Sequence, residues 1–197
     1  MRPLAPEDVL DFWFRIAGPA RWFAVDPAFD AQMRRKFGPI CHAFRQQASV
    51  ADHPWLVEPE SALALVILLD QAPRNIWRGS NVAFSLDPLA REAADIMLMA
   101  GFDWALPEDQ RAFVYMPFMH SEDLEDQALC VHLTEDRLSE AGTAGHARAH
   151  MDVIARFGRF PHRNAILSRD NTRQEQAFLD AGRYAPGAKR PAKSTEG

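Results

Sequence analysis

Hydrophobic residues recur along this chain at intervals of three and four, the spacing that places side chains on one face of an α-helix. The clearest apolar stripe runs through Phe29, Met33, Phe37, Ile40 and Phe44. Helix-start residues precede most such segments and glycine follows several, while no alternating strand pair with a tight hairpin turn occurs. The pattern predicts an all-α domain of about seven or eight antiparallel, proline-kinked helices.

The segment from Ala62 to Leu69 is apolar on every face, so it is expected to be the most buried helix. A buried strand is the alternative for a run of this length, but its leucines and alanines favour a helix. Pro73 follows where the sequence becomes polar, and it is expected to disturb the helix and free backbone carbonyl groups.

Local signals predict several helix boundaries. Asp26 and Asp87 each stand before a proline and are expected to cap a helix. Pro39 is expected to kink or split the helix that follows Asp26. Thr172 and Glu175 have the spacing of a capping box at the start of the last helix.

Composition and charge narrow the class of protein. The chain has 197 residues, 47% of them hydrophobic, which indicates one domain with a substantial core. We assign residues 1–183 to it and predict a disordered tail at residues 184–197, which are rich in proline, glycine and lysine. A net charge of −5 gives no general attraction to nucleic acid or an anionic membrane.

Cysteine usage and the N-terminus indicate a soluble cytoplasmic protein. Cys41 and Cys130 are far apart and imply no pairing, so reduced thiols are the expectation. The first residues lack the features of a signal peptide, and the longest apolar run is too short to cross a bilayer.

Polar side chains with binding chemistry are concentrated in the segment from Arg156 to Asn164. Gly158 is expected to end a helix in the left-handed conformation, and Pro161 holds the preceding residue extended. The stiff turn then presents four polar side chains: Arg159, His162, Arg163 and Asn164.

A second polar segment follows the buried helix. Asp70, Arg74 and Arg78 recur every four residues, so they share one face if the helix continues, and Asn75 lies among them. The alternative is an ordinary salt-bridge ladder at a helix end.

The third polar segment centres on His120. Residues 107–131 predict the longest helix, with His120 on its apolar face just beyond Pro117. A lone histidine there is more often a hydrogen-bonded core residue than a ligand, but acidic and amide side chains crowd the same two turns and favour a site. His146 and His150 have the spacing of metal ligands, yet Ala147 replaces the glutamate of a zinc peptidase.

Several strings in this sequence resemble the widespread, mostly bacterial domain-of-unknown-function nine-two-four family. They are residues 9–14, 21–23, 69–79, 119–122, 126–127 and 156–164. The resemblance covers roughly residues 5–180, implies an all-helical, tetratricopeptide-like fold and carries no established activity. Ala72 replaces a usual bulky aromatic and Ser168 a more usual glycine, departures that bear on the shape of the pocket.

These segments together suggest a pocket for a small anionic molecule, with hydrolysis or group transfer as the reaction to test first. The candidate catalytic residues are Asp70, His120, Glu122 and His162. The candidate ligand-binding residues are Arg74, Asn75, Arg78, His150, Arg159, Arg163 and Asn164. Whether the protein is an enzyme stays open, and the sequence identifies no cofactor.

Two alternatives remain open. The protein is a tetratricopeptide-like scaffold for a protein partner, in which the polar clusters are structural. A metal site on His120, His150 and His162 is a weaker alternative.

The pocket hypothesis has a geometric consequence. Side chains from distant segments are expected to meet in one cleft: Asp70, Arg74, Asn75, His120, Glu122, His150, His162 and Arg163. An anion site is also expected to hold a surplus of positive charge, with Arg74, Arg78, Arg159 and Arg163 facing Asp70 and Glu122.

Overall fold

The structure, a computed structural model, describes residues 2–182, which form eleven α-helical segments and no β-strand. The helices are α1 Pro6–Leu10, α2 Pro19–Trp22, α3 Pro27–Phe44, α4 Pro59–Val66, α5 Ala72–Ile76, α6 Asp87–Met99, α7 Phe102–Ala105, α8 Glu108–Met119, α9 Leu124–Arg137, α10 Ala141–Phe157 and α11 Arg173–Asp180. Shorter helical elements are the π-helical turns Asp11–Ala17 and Ile67–Gln71, and the 3-10 turns Pro54–Val57, Asn81–Phe84 and Pro161–Arg163.

The all-α prediction is confirmed for this part of the chain, with more helical segments than expected because several are only one turn long. The tetratricopeptide-like arrangement stays a prediction. The predicted disordered tail, residues 184–197, and residue 183 lie outside the described residues. No described helix is long and apolar enough to span a bilayer.

The core is organised around α4 and the π-helical turn that continues it. Every residue from Ala62 to Leu69 is fully buried, which confirms the predicted central helix. Helix α4 packs against α1, α6 and α8, while α3 packs against α5. Helix α9 joins α8 to α10, and this arrangement brings the ends of α8 and α10 toward the end of the buried helix.

Pro73 is the second residue of α5, directly after the π-helical turn Ile67–Gln71. Proline has no N–H to donate to the carbonyl group four residues earlier and its ring crowds that group, so a wider turn relieves the conflict. The carbonyl oxygen of Asp70 accepts a hydrogen bond from Arg74 Nη1 (2.6 Å), and that of Gln71 accepts one from Asn75 Nδ2 (3.1 Å). Polar side chains of α5 thus bond to backbone carbonyl groups of the turn that precedes Pro73.

The predicted long helix over residues 107–131 is wrong. Helix α8 ends at Met119 and α9 begins at Leu124, so His120 is the C-cap residue of α8 and does not lie on a helical stripe. Asp123 caps α9, where its carboxylate accepts hydrogen bonds from the backbone N–H groups of Glu125 and Asp126, at 2.7 and 3.4 Å.

Gln127 stabilises the break between α8 and α9. Its side-chain nitrogen lies within hydrogen-bond distance of three carbonyl oxygens: those of Phe118 and Met119 at the end of α8, at 3.2 and 2.8 Å, and that of Ser121 just beyond it, at 2.7 Å. The last turn of a helix leaves its carbonyl groups without the usual N–H partner four residues on, and here the carbonyl oxygen of Phe118 also accepts the backbone N–H of Ser121 at 3.1 Å. A fully buried amide therefore satisfies them and fixes the turn that carries His120.

The other boundary predictions have mixed outcomes. Asp26 accepts from two backbone N–H groups at the start of α3, and Thr172 forms the predicted capping box. Gly158 ends α10 with a left-handed φ of 68°. Pro39 does not split α3, and Asp87 is the first residue of α6, whose cap position belongs to Leu86.

Candidate functional site

Asp70 and His120 form a buried hydrogen-bonded pair. Asp70 is fully buried in the π-helical turn, and its Oδ1 lies 2.7 Å from His120 Nδ1. Burial alone would raise the pKa of Asp70, but Arg74 and His120 outweigh this effect and lower it to about 2. An ionised carboxylate can only accept, so the proton of the neutral imidazole is on Nδ1.

The second ring nitrogen of His120 is the one available for chemistry. Burial, together with the charge of Arg74, lowers the pKa of His120 below its usual value even though Asp70 opposes the shift. The ring is therefore neutral at neutral pH, with a lone pair on Nε2. Nε2 has no hydrogen-bond partner among residues 2–182.

Arg74 is fixed by two carboxylates. Its Nη1 and Nη2 donate to the two oxygens of Asp87 at 2.9 and 3.1 Å, and Nη1 lies 3.2 Å from Asp70 Oδ1. Such a two-pronged pair is geometrically specific and leaves the guanidinium little freedom. Arg74 therefore ties the start of α6 to the buried π-helical turn.

Arg163 differs from Arg74 because no carboxylate of residues 2–182 pairs with it. It is 7% exposed, and its Nη1 donates to the backbone oxygen of His120 at 3.0 Å. Its guanidinium carbon lies 4.7 Å from the ring centroid of Phe84 and 4.5 Å from that of Phe160. Within the described chain it forms no ion pair, and its buried Nε has no hydrogen-bond partner.

The buried surroundings of Arg163 lower its pKa. Burial and the neighbouring charge of Arg74 lower it to about 10, despite the more distant carboxylates of Asp87 and Glu122. The site therefore disfavours the charged form that arginine nevertheless keeps at neutral pH. An anion in contact with this guanidinium would relieve that cost.

Glu122 joins the turn after α8 to the segment after α10. Its Oε1 accepts the backbone N–H of Phe160 at 2.9 Å, and its two oxygens accept from Arg169 Nη1 and Nη2 at 2.7 and 2.9 Å. Arg169 neutralises Glu122, so this carboxylate anchors the turn that carries Arg163. Ser168, just before Arg169, has a left-handed φ of 55°, a conformation that glycine adopts without strain.

His120, Glu122 and Arg163 line an open cavity of about 460 Å³, which we call the Arg163 cavity. Its charged and titratable lining residues are Asp87, Arg91, His120, Glu122, Asp123 and Arg163. The cavity therefore combines a buried cation, a neutral imidazole and several carboxylates, a set that can bind an anionic group and move a proton.

His150 and His162 lie near this cavity without lining it. The ring of His150 is 6.5 Å from that of His120 and 5.4 Å from that of Phe160, and His162 is also 5.4 Å from Phe160. Burial is the main reason that the pKa falls to about 3 for His150 and about 4 for His162. His150 Nδ1 is 2.8 Å from the carbonyl oxygen of His146.

The metal alternative finds no geometric support, because no group of three or more potential ligands in residues 2–182 is placed to hold a metal ion.

Four predicted ligand-binding residues do not line the cavity and bond to other parts of the chain: Asn75, Arg78, Arg159 and Asn164. Arg78 pairs with Asp30 at 2.7 and 3.0 Å and donates to Asn75 Oδ1 at 2.8 Å. Arg159 pairs with Glu175 at 2.6 and 2.9 Å. Asn164 donates a hydrogen bond from Nδ2 to Asn171 Oδ1 at 2.8 Å.

The expected cationic surplus is therefore wrong, because Arg78 and Arg159 have carboxylates of their own elsewhere and Arg74 is shared by two. Convergence itself is observed for five residues, which line the cavity or bond to a residue that does: Asp70, Arg74, His120, Glu122 and Arg163.

Sequence reasoning missed two ion-pair partners, Asp87 and Arg169. The sequence did mark Asp87 as notable, because an aspartate before proline is typical of a helix start. That pattern predicts a helix cap, however, and says nothing about an ion pair with a distant arginine. Arg169 stands between Ser168 and Asp170 in a loop without periodicity, so no local pattern distinguished it.

Comparison with known families and structures bears on the fold. The sequence model of a family described as a bacterial protein of unknown function (DUF924) matches residues 9–183. Among solved structures, a protein of unknown function from Agrobacterium tumefaciens is 42% identical, covers 90% of this chain and 97% of its own, and superposes with a TM-score of 0.82. A comparison with curated proteins found no match.

Proposed function

The chain belongs to the bacterial family of unknown function DUF924, and from the geometry of the Arg163 cavity we propose that it binds a small ligand through an anionic group. One observation carries the proposal: Arg163 is buried, charged and without a carboxylate partner in the described chain. Buried arginines are normally paired, since an unpaired buried charge costs several kcal/mol.

A carboxylate or phosphate group is the ligand chemistry that fits this guanidinium. Both present oxygen atoms that accept from two N–H groups of one arginine. Phe84 and Phe160 flank the guanidinium at 4.7 and 4.5 Å, so its plane is held before a ligand arrives. Little side-chain entropy is then lost on binding.

We expect inorganic phosphate or a small carboxylate to raise the unfolding temperature of the wild-type protein and to have no such effect on Arg163→Met. A ligand at about one hundred times its Kd stabilises the folded state by about 2.7 kcal/mol. The measurement is thermal unfolding with and without each anion. Arg159→Met is the matched control, because Arg159 pairs with Glu175 and does not line the cavity.

The control variant should be less stable yet keep its response to the anion. Stabilisation that persists in Arg163→Met, or a wild-type protein that no carboxylate or phosphate stabilises, would contradict the proposal.

The Asp70–His120 pair adds a proton acceptor beside the proposed anion site, and we propose hydrolysis or group transfer as the accompanying reaction. In hydrolysis, His120 Nε2 takes a proton from water while the water oxygen bonds to the electrophilic carbon or phosphorus. The bond to the leaving group breaks, and the imidazolium returns the proton to that group. Asp70 supports both steps because its negative charge favours the imidazolium intermediate.

Activity against a panel of carboxylic and phosphoric esters tests this reaction. We expect His120→Gln to lower the rate by about 10²- to 10⁴-fold, the usual contribution of a general base. Activity should also fall as the pH drops through the lowered pKa of His120, because only the neutral ring accepts a proton. His162→Gln is the control, since His162 does not line the cavity.

Unchanged turnover in His120→Gln would remove the proton-transfer role and leave only binding. Inactivity against the whole panel would have the same consequence.

A further inference from the structure

Internal ion pairs account for most of the charges that line the Arg163 cavity. Three lining residues are neutralised by the described chain: Asp87 by Arg74, Glu122 by Arg169 and Arg91 by Asp126. Two lining charges of opposite sign remain without an ionic partner there, Arg163 and Asp123. The cavity therefore offers one positive and one negative group to a ligand.

Asp123 has binding capacity left after capping α9. Its Oδ1 accepts from the backbone N–H groups of Glu125 and Asp126 at 2.7 and 3.4 Å. Its Oδ2 has no hydrogen-bond partner within residues 2–182, and the residue is exposed. A carboxylate has about four acceptor sites, so this group can also accept from a ligand cation.

The two groups are close enough for one small molecule. Arg163 Nη1 bonds to the backbone oxygen of His120 at 3.0 Å, and Asp123 is three residues further along the same turn. Three residues span at most about 10 Å even when extended. Both side chains line a single cavity of about 460 Å³, which has room for the two charged groups of a small molecule and for a side chain between or beside them.

The charge balance among the described residues argues against a ligand that carries only an anionic group. Around the cavity three arginines face three carboxylates: Arg74, Arg163 and Arg169 against Asp70, Asp87 and Glu122. His120 is neutral and the Arg91–Asp126 pair cancels, so Asp123 leaves one negative charge in excess. A lone anion would meet that charge, whereas a molecule that also carries a cation would be attracted by it.

We propose that the ligand is a small zwitterion of the amino-acid type, with its carboxylate on Arg163 and its ammonium group toward Asp123. This inference rests on the anion site proposed above and specifies its ligand. The carboxylate end of the ligand would meet Arg163, which is 7% exposed, lines the cavity and has a buried Nε without a hydrogen-bond partner in the described chain.

Matched pairs of amino acids and their deaminated acids test the proposal by calorimetric titration. The probes are alanine with propionate, norvaline with pentanoate, and phenylalanine with 3-phenylpropionate. We expect at least one amino acid to bind about three- to fivefold more tightly than its acid, the effect of one exposed ion pair. Asp123→Asn should remove that difference and leave the affinity for the acid equal or higher, because a negative charge near the anion is lost, while Arg163→Met should weaken both.

Asp123→Asn is a suitable variant because asparagine caps a helix about as well as aspartate. Asp26→Asn is the control, since Asp26 caps α3 in the same manner and does not line the cavity. Equal affinity for acid and amino acid, or a preference that survives in Asp123→Asn, overturns the zwitterion and leaves the anion site standing. If no amino acid, carboxylate or phosphate binds, the anion site and the zwitterion fail together.

Discussion

Replacing Arg74 with methionine is expected to lower the free energy of unfolding by about 3–5 kcal/mol, the usual cost of breaking a buried ion pair from one side. The change would leave Asp70, which is fully buried, and Asp87, which is 8% exposed, without their shared cation. It would also remove the hydrogen bond to the carbonyl oxygen of Asp70. Methionine has a similar reach, so lost packing contributes little.

Arg163→Met is expected to differ, with a change of at most about 1 kcal/mol in either direction. No carboxylate is left unpaired, because Arg163 forms no ion pair in the described chain. The hydrogen bond to the His120 carbonyl and the contacts with two phenylalanine rings are lost. These losses are offset because the free-energy cost of removing a charged guanidinium from water is also lost.

Urea unfolding of both variants at neutral pH distinguishes the ligand site from the scaffold alternative. A ligand site predicts unequal losses, large for Arg74→Met and small for Arg163→Met, since residues kept for binding are often neutral or costly for stability. A scaffold with a purely structural polar cluster predicts large losses for both. Comparable destabilisation would therefore favour the scaffold.

The fold could be predicted where the decisive interactions are local in sequence. The period of hydrophobic residues identified the buried helix, and Pro73 located its kink, because both effects act within one or two helical turns. Gly158 and Thr172 marked helix ends correctly for the same reason. Each of these features depends on residues at most four positions apart.

The Asp70, Arg74 and Arg78 series shows where local reasoning stops. Asp70 and Arg74 do approach within 3.2 Å, as helical spacing predicts. Helix α5 ends at Ile76, however, so Arg78 lies beyond it and reaches Asp30 on α3 instead. Whether a charge meets a neighbour on its own helix or on another depends on where the helix ends.

The candidate site is less predictable because its pairs join distant segments. The residue types at positions 120–123 and 156–164 indicated polar chemistry, but not which arginine would lack a partner. Glu122 and Arg169 are 47 positions apart, and no periodicity relates them. The break after α8 was missed because the cap residue Asp123 lies inside a run of acidic residues that also suits a helix. That Arg163 forms no ion pair with residues 2–182 emerges only when the carboxylates of this part of the chain have been placed.

Acidification from pH 7 to pH 5 is expected to destabilise the protein by roughly 2 kcal/mol for each histidine that stays neutral when folded. His150 is 4% exposed, and burial lowers its pKa to about 3, with the nearby charge of Arg163 adding to the effect. In the unfolded chain a histidine takes up a proton below about pH 6.5. His162, with a pKa of about 4, acts in the same direction but less strongly because it is partly exposed.

The sign follows from which state binds the proton. Above about pH 6.5 neither state is protonated at these positions, so stability does not depend on them. Below that value the unfolded state binds protons at these histidines and the folded state does not. The loss of unfolding free energy therefore grows until the pH reaches the folded pKa, about 4 for His162 and about 3 for His150. Asp70 does not contribute in this window, because its pKa of about 2 makes its effect appear only below about pH 4.

His150→Gln isolates the contribution of one buried histidine. Glutamine does not titrate, so the fall in unfolding free energy between pH 6.5 and pH 5 should become shallower by about 1.4 kcal/mol per pH unit at most. The measurement is urea unfolding at half-unit intervals of pH, and His42→Gln on the exposed side of α3 should leave the slope unchanged. A slope that His150→Gln does not alter would mean that the folded and unfolded states take up a proton at His150 equally, and it would contradict a pKa lowered by burial.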